Sequence, residues 1–242
     1  KEASTELDQL SNLDAKIIQY EDERKLLIMQ YQRLADELHK LRSKSIKEIE
    51  NQVQTELTEL NMPGAKFDIS VTNKPDQNSP ILFEDNGISI GSKGYDQVEF
   101  FFSANPGENP KPLIKIASGG EVSRIMLAIK SVLKKSDPVG TLVFDEIDTG
   151  ISGQAAERVS EALDKLSKQK QVICITHLPQ IAARADHHLY VSKKISNDQT
   201  EVVAHYLSEK EKVQAIAELF SGDTVTSQAI TSAKQFRTEA RG

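Results

Sequence analysis

Thr141-Leu142-Val143-Phe144-Asp145-Glu146-Ile147-Asp148-Thr149-Gly150 is the stretch whose reading decides the fold. Three apolar residues run without alternation into two adjacent carboxylates, Asp145 and Glu146. An unbroken apolar run suits a strand buried on both faces, as in a parallel sheet. Charge is costly to bury without a partner, so the two acids are expected where the strand leaves the core. In open α/β sheets that carboxyl edge is where ligands bind. Two acids there suit a magnesium–phosphate site, one holding the metal and the other polarising a water. A strand ending in a solvated acidic turn would carry the same letters, so the flanking sequence has to decide.

Downstream, 152–167 reads as a helix with Ala155, Ala156, Val159, Leu163 and Leu166 on one face, and 171–176 reads as a second apolar strand ending at His177. Strand, helix and strand in this order form a right-handed βαβ unit. That unit brings Asp145, Glu146 and His177 to one sheet edge. A lone histidine is ordinarily a helix cap or a core-edge residue, but its place beside two acids argues for function. His187 and His188 have no metal-ligand spacing and read as ordinary.

Upstream, Ile116-Ala117-Ser118-Gly119-Gly120-Glu121 precedes a helical pattern through Val122, Ile125, Met126, Ile129, Val132 and Leu133. Ser118 with Glu121 three residues on is a capping-box signature. Two glycines at a helix start let an anion approach free N–H groups at the positive end of the helix dipole. An ordinary glycine-containing cap reads the same way.

The first 60 residues read differently. Leu10, Leu13, Ile17, Tyr20, Arg24, Leu27, Tyr31, Leu34, Leu38 and Leu41 recur in steps of three and four, a coiled-coil seam interrupted only by Arg24. After Leu41 the phase slips and resumes through Ile46, Ile49, Val53, Leu57 and Leu60, as on entry into a globular domain. One seam needs a partner, and no second long heptad helix follows. Asn61-Met62-Pro63-Gly64 stops the helix. A β-rich segment then runs through Lys66–Thr72, Ile81–Phe83 and Gln97–Ser103, followed by a Pro/Gly loop over 105–112. After His177 come a short helix (179–184), strands near 188–192 and 201–207, and two closing helices over 210–220 and 227–238. The expected division is a coiled-coil arm, 1–60, and a mostly parallel α/β lobe with a β-rich segment, 61–242.

Composition narrows the classes. The 242 residues carry a net charge of −6, which offers no basic footprint for nucleic acid. No apolar run approaches the roughly 20 residues needed to span a bilayer. The single cysteine, Cys174, reads as a small buried hydrophobe, and the absence of a disulfide framework fits a reducing cytosol.

Phosphoryl transfer needs positioned charge more than covalent chemistry. Asp145 would hold the cation, Glu146 orient water, His177 sense the γ-phosphate, and Ser118–Gly120 cradle an anion. The Gly-x-x-x-x-Gly-Lys-Ser/Thr phosphate loop is missing; Gly91-Ser92-Lys93-Gly94 has the wrong spacing.

At these residues the chain resembles the ABC-type ATPases. Ala117–Glu121, Thr141–Glu146, Asp148 and His177 match, in order and spacing, their signature motif, Walker B strand, D-loop and switch histidine. The heptad helix ahead of them resembles the SMC-like branch, whose heads are split by a coiled-coil insertion. Asn105–Glu108, Ser118–Ala128, Phe144–Gly153 and Thr176–Ala183 resemble a bacterial DNA-repair member of that branch. An SMC-type D-loop is usually Asp-Ala-Ala-Leu-Asp where this chain has Asp148-Thr149-Gly150.

The resemblance implies an ABC-ATPase-like head C-lobe behind one coil arm, acting in double-strand-break repair and recombination in the cytoplasm at the nucleoid. It implies ATP and Mg²⁺ as cofactors, Asp145 as the metal ligand, and Glu146 and His177 as catalytic residues. Ser118, Gly119, Gly120 and Asp148 would bind nucleotide, with Ser118–Gly120 closing over ATP on a second head and Asp148 communicating across that dimer. The implied partners are the N-terminal half of the same head and coil, which would carry the phosphate loop, a second copy, and DNA through the full-length protein. The chain by itself is then expected to be inactive. Two other classes stay open: a non-catalytic coiled-coil tethering module, and a transporter nucleotide-binding subunit, against which the coil argues.

Overall fold

A computed structural model describes residues 2–196, 199–222 and 224–240, with side-chain surroundings from residue 13 onward except for 194–200. Helix α1 runs Glu2–Glu59, and Asn61 just beyond it takes the left-handed backbone (φ 63°) that ends it. The chain divides into two compact units, Lys1–Asn51 with Asp68–Phe101, and Gln52–Phe67 with Phe102–Gly242.

In the first unit α1 carries two apolar stripes. The heptad seam faces solvent: Leu13, Ile17, Tyr20, Leu27, Leu34 and Leu41 are all exposed. Leu10 of that seam lies outside the described side chains. A second stripe runs Ile28, Tyr31, Ala35, His39, Arg42, Ile46 and Ile49, again in steps of three and four. The two stripes overlap between Ile28 and Leu41, which is why the sequence pattern shifts phase after Leu41. Ala35 packs in a core with Ile81, Ile88 and Tyr95, joined by Ile28, Tyr31 and Phe83. Polar contacts fix the register. Gln32 bonds both the N–H and the C=O of Leu82, at 3.0 and 2.9 Å. The Asp96 carboxylate accepts from His39 Nδ1 (2.7 Å) and Arg42 Nη1 (2.9 Å).

The β-rich segment contains β1 (Lys66–Asn73), β2 (Leu82–Phe83), β3 (Asn86–Gly87) and β4 (Asp96–Ser103). Strands β2 and β3 form an antiparallel pair. With β5 (Lys111–Pro112) there is a three-stranded sheet of order β1-β4-β5.

In the second unit α2 (Gly119–Leu133) follows a short 3-10 turn, Leu113–Lys115. Strand β6 (Thr141–Phe144), helix α3 (Gly153–Ser167) and strand β7 (Gln171–Cys174) form the expected βαβ unit, with β6 and β7 parallel from Thr141↔Gln171 to Phe144↔Cys174. Ala155, Ala156, Val159, Leu163 and Leu166 are the buried face of α3, as their spacing requires.

One expectation fails here. Strand β6 is buried on one face only: Leu142 and Phe144 are covered, whereas Val143 is 63% exposed, and Ile173 and Ile175 beside it are exposed too. An unbroken apolar run encodes two buried faces, and the described residues cover only one. Cys174 is likewise half-buried rather than enclosed; burial still pushes its thiol up to about 12.

Beyond β7 come α4 (Pro179–Arg184), the antiparallel pair β8 (Leu189–Ser196) and β9 (Gln199–Tyr206), then α5 (Glu209–Ser221) and α6 (Ser227–Glu239). Helices α4, α5 and α6 share a small core of Ala183, Ile216, Ala217, Ala229 and Ala233. Helix α5 starts with a full capping box between Ser208 and Glu211 and ends at Gly222 (φ 68°), a residue type that takes this backbone at no steric cost. Among the described residues no helix is long and apolar enough to cross a membrane.

Candidate functional site

The site is built where β6 runs out. Asp145 and Glu146 are exposed beyond the strand, as the cost of burying charge demands. The Asp145 carboxylate accepts the Glu146 N–H at 2.9 Å, and Glu146 adopts the left-handed backbone (φ 57°). That conformation costs a non-glycine residue about 1 kcal/mol or more, so the surrounding structure must hold it. Part of the hold is a turn in which the Thr149 N–H donates to Glu146 O at 3.0 Å.

The start of α2 lies against this loop. Ser118 is the N-cap, its hydroxyl accepting from the Glu121 N–H at 3.4 Å. A Cβ on Gly119 would run into the Glu146 carboxylate. A Cβ on Gly120 would stand 3.0 Å from both Thr149 Cβ and Thr149 O, and 3.1 Å from Glu146 O. The two glycines are therefore the surface on which the acidic loop rests.

The next turn of α2 grips the loop by its carbonyls. The Ser123 hydroxyl donates to Asp145 O at 2.7 Å, and Arg124 Nη1 donates to Thr149 O at 2.9 Å and Ile147 O at 3.3 Å. Arg124 is only 8% exposed. Burial presses its guanidinium below its usual pKa, with Glu121 opposing.

Asp148 ties the loop to the end of β7. Its carboxylate is 4% exposed and one oxygen accepts twice, from Thr176 Oγ1 at 2.6 Å and the His177 N–H at 2.8 Å, with His177 Nδ1 standing 3.0 Å from the same oxygen. Thr176 Oγ1 in turn accepts from the Leu178 N–H at 3.0 Å. The His177 side chain itself is exposed.

Gly119, Gly120, Asp145, Glu146, Asp148 and His177 thus form one connected constellation, with Ser118 at its rim. Within this chain Asp148 acts as a positioning residue, turned toward His177. Three contributors escaped the sequence reading: Ser123, Arg124 and Thr176. Arg124 was detectable, because it falls four residues after Gly120 and four before Ala128, on the packed face of α2. Thr176 carried no signal beyond preceding His177.

The donor set suits a magnesium-bound nucleotide. Among the described residues no group of three His, Cys, Asp or Glu could cage a metal. Magnesium bound with phosphates commonly takes only one or two carboxylates, the remaining oxygens coming from phosphate and water. Asp145 can supply one. At the start of α2 the space that a side chain on residue 119 would need is taken by the Glu146 carboxylate, which places that acid at the helix N-terminus.

No family model matches the sequence. Curated proteins do. The chain is 41% identical over 208 residues to the DNA repair protein RecN of Treponema pallidum, and 36% identical over 240 residues to that of Bacillus subtilis. These alignments cover 84% and 97% of this chain but 35% and 41% of the relatives, so the chain spans about two fifths of their length. Among solved structures it resembles the Smc head domain with a coiled coil and joint from Pyrococcus yayanosii (TM-score 0.54, 22% identity), covering 87% of this chain and 36% of that one. The Smc head of Pyrococcus furiosus with an extended coiled coil, bound to the C-terminal domain of ScpA, matches with a TM-score of 0.51 and 22% identity, over 87% of this chain and 47% of that one. Along most of its length the chain is similar to part of RecN, and its fold resembles that of the Smc head domains with their coiled coil.

Proposed function

We propose that this RecN-like chain is the C-terminal lobe and one coil arm of an ATPase that acts in DNA double-strand-break repair. One observation carries the reading most: the signature-type glycines, the acidic loop and the switch-type histidine are joined by direct contacts at one sheet edge. The missing phosphate loop would come from an earlier part of a longer protein, consistent with the share of the relatives that this chain spans. The bare face of β6 and β7 at Val143, Ile173 and Ile175 supports a lobe built to be covered by such a part.

In the completed head, bound Mg²⁺ would neutralise developing phosphate charge. Asp145 would hold it, and Glu146 would orient a water and take its proton. His177, its backbone N–H held by Asp148, would contact the terminal phosphate. Ser118, Gly119 and Gly120 would offer the start of α2 to nucleotide carried by a second head, and the exposed seam of α1 would pair with the returning coil arm. DNA is the proposed substrate of the whole protein, at the nucleoid in the cytoplasm. The net charge of −6 over the 242 residues argues against this chain being its main contact.

Reconstitution tests the reading. This chain alone should not hydrolyse ATP, and co-expression with the remainder of the full-length protein should restore turnover. A reconstituted protein with no turnover would favour the tethering-module alternative, for which the exposed coil seam is the observation.

A further inference from the structure

We infer that Ser123 and Arg124, on the second turn of α2, are positioning residues that set the acidic loop in place and couple the start of α2 to Glu146 and His177. Ser123 holds the carbonyl of Asp145, and Arg124 holds those of Ile147 and Thr149. All three carbonyls belong to the loop that carries Asp145, Glu146 and Asp148. Gly120 lies under the same loop at Thr149. A ligand that shifts the first turn of α2 would therefore move the proposed metal ligand and base through direct bonds, and His177 through Asp148.

Arg124 is an expensive way to hold a loop. It buries a cation whose hydrogen-bond acceptors are neutral carbonyls, and its Nε is buried with no hydrogen-bond partner among the described residues. Replacing buried charge by an apolar side chain of similar size is often neutral or stabilising. A residue kept for stability alone would not be built this way; one kept for the position of Ile147 and Thr149 would. The loop at Asp137–Val139 shows that a lysine can do similar work, since Lys170 Nζ donates to Asp137 O at 2.6 Å and Val139 O at 2.8 Å.

The catalytic consequence rests on the ATPase reading above; the clamp itself does not. The test compares wild type, Arg124→Met and Arg124→Lys in the full-length protein by amide hydrogen exchange, thermal unfolding and steady-state ATP turnover. In Arg124→Met the Thr149 and Ile151 amides, bonded to Glu146 O and Asp148 O, should exchange at least about tenfold faster. Its kcat should fall about tenfold or more while KM for MgATP changes less than about threefold. Its melting midpoint should stay within about 4 °C. Arg124→Lys should recover most of both the exchange protection and kcat. Unchanged exchange in Arg124→Met would overturn the clamp, as would loss of folding in both variants alike. If wild type hydrolyses no ATP, the exchange comparison still decides the clamp, and the ATPase reading alone falls.

Discussion

One carboxylate oxygen of Asp148 accepts the backbone N–H of His177 at 2.8 Å, and the ring Nδ1 of His177 stands 3.0 Å from it. With the Thr176 hydroxyl on the same oxygen, the loop after β6 and the end of β7 are held as one piece. Asp148→Ala strips two donors, Thr176 Oγ1 and the His177 N–H, of a charged acceptor that is itself nearly buried. Its loss should cost about 2–3 kcal/mol in urea unfolding, with Asp148→Asn costing less because one acceptor oxygen survives. A loss below about 0.5 kcal/mol for the alanine variant would show that the bridge holds nothing.

The two glycines at the start of α2 should respond differently to alanine. At Gly119 the added methyl meets the movable end of Glu146, so the side chain can yield, and alanine's helix preference offsets strain by up to about 1 kcal/mol. At Gly120 it meets backbone at Thr149 and Glu146, which cannot yield cheaply. Gly119→Ala should therefore leave the unfolding midpoint near wild type while displacing Glu146 and abolishing turnover in the full-length protein. Gly120→Ala should lose about 1–3 kcal/mol. Equal stability losses would contradict this geometry.

Asp96 predicts a pH dependence in the first unit. Burial alone would raise its carboxyl, but the hydrogen bonds from Arg42 and His39 outweigh burial and hold it below the ordinary carboxylate value. A carboxyl whose folded pKa is depressed stabilises the fold above its unfolded pKa, near 4, and that contribution is lost as pH falls through the folded value. Stability measured by denaturant unfolding should fall between about pH 4 and pH 2, and Asp96→Asn should flatten that slope while lowering stability at pH 7. A variant with an unchanged acid limb would rule Asp96 out.

The two stripes of α1 make a paired test. Leu34 is 57% exposed and its neighbour Ala35 is 4% exposed. Leu34→Ser should change the stability of this chain by no more than about 0.5 kcal/mol. Ala35→Glu, which forces a carboxylate against Ile81, Ile88 and Tyr95, should cost about 3 kcal/mol or more. Similar effects from the two would mean the stripes are wrongly assigned.

Much of this was legible in the residues themselves. The run Leu142–Phe144 and the period of α3 encode a βαβ unit because burial is periodic, and Ser118 marks a helix start through its hydrogen bonding. What escaped depends on tertiary placement. The second stripe of α1 mixes His39 and Arg42 with apolar residues, and polar members earn a buried place only when a partner such as Asp96 faces them. The open face of β6 was misread because an apolar run signals burial on both faces, and the described residues cover only one of them. The left-handed backbone of Glu146 has no local signal, since the loop around it imposes the strain.

The central claim is that Glu146 is the base of an ATP site completed by a longer protein. Steady-state ATP turnover of full-length wild type against Glu146→Gln tests it most directly, with nucleotide binding measured in parallel. The account predicts that Glu146→Gln binds MgATP about as tightly as wild type while turnover falls by about a hundredfold or more. Turnover within about twofold of wild type would contradict it.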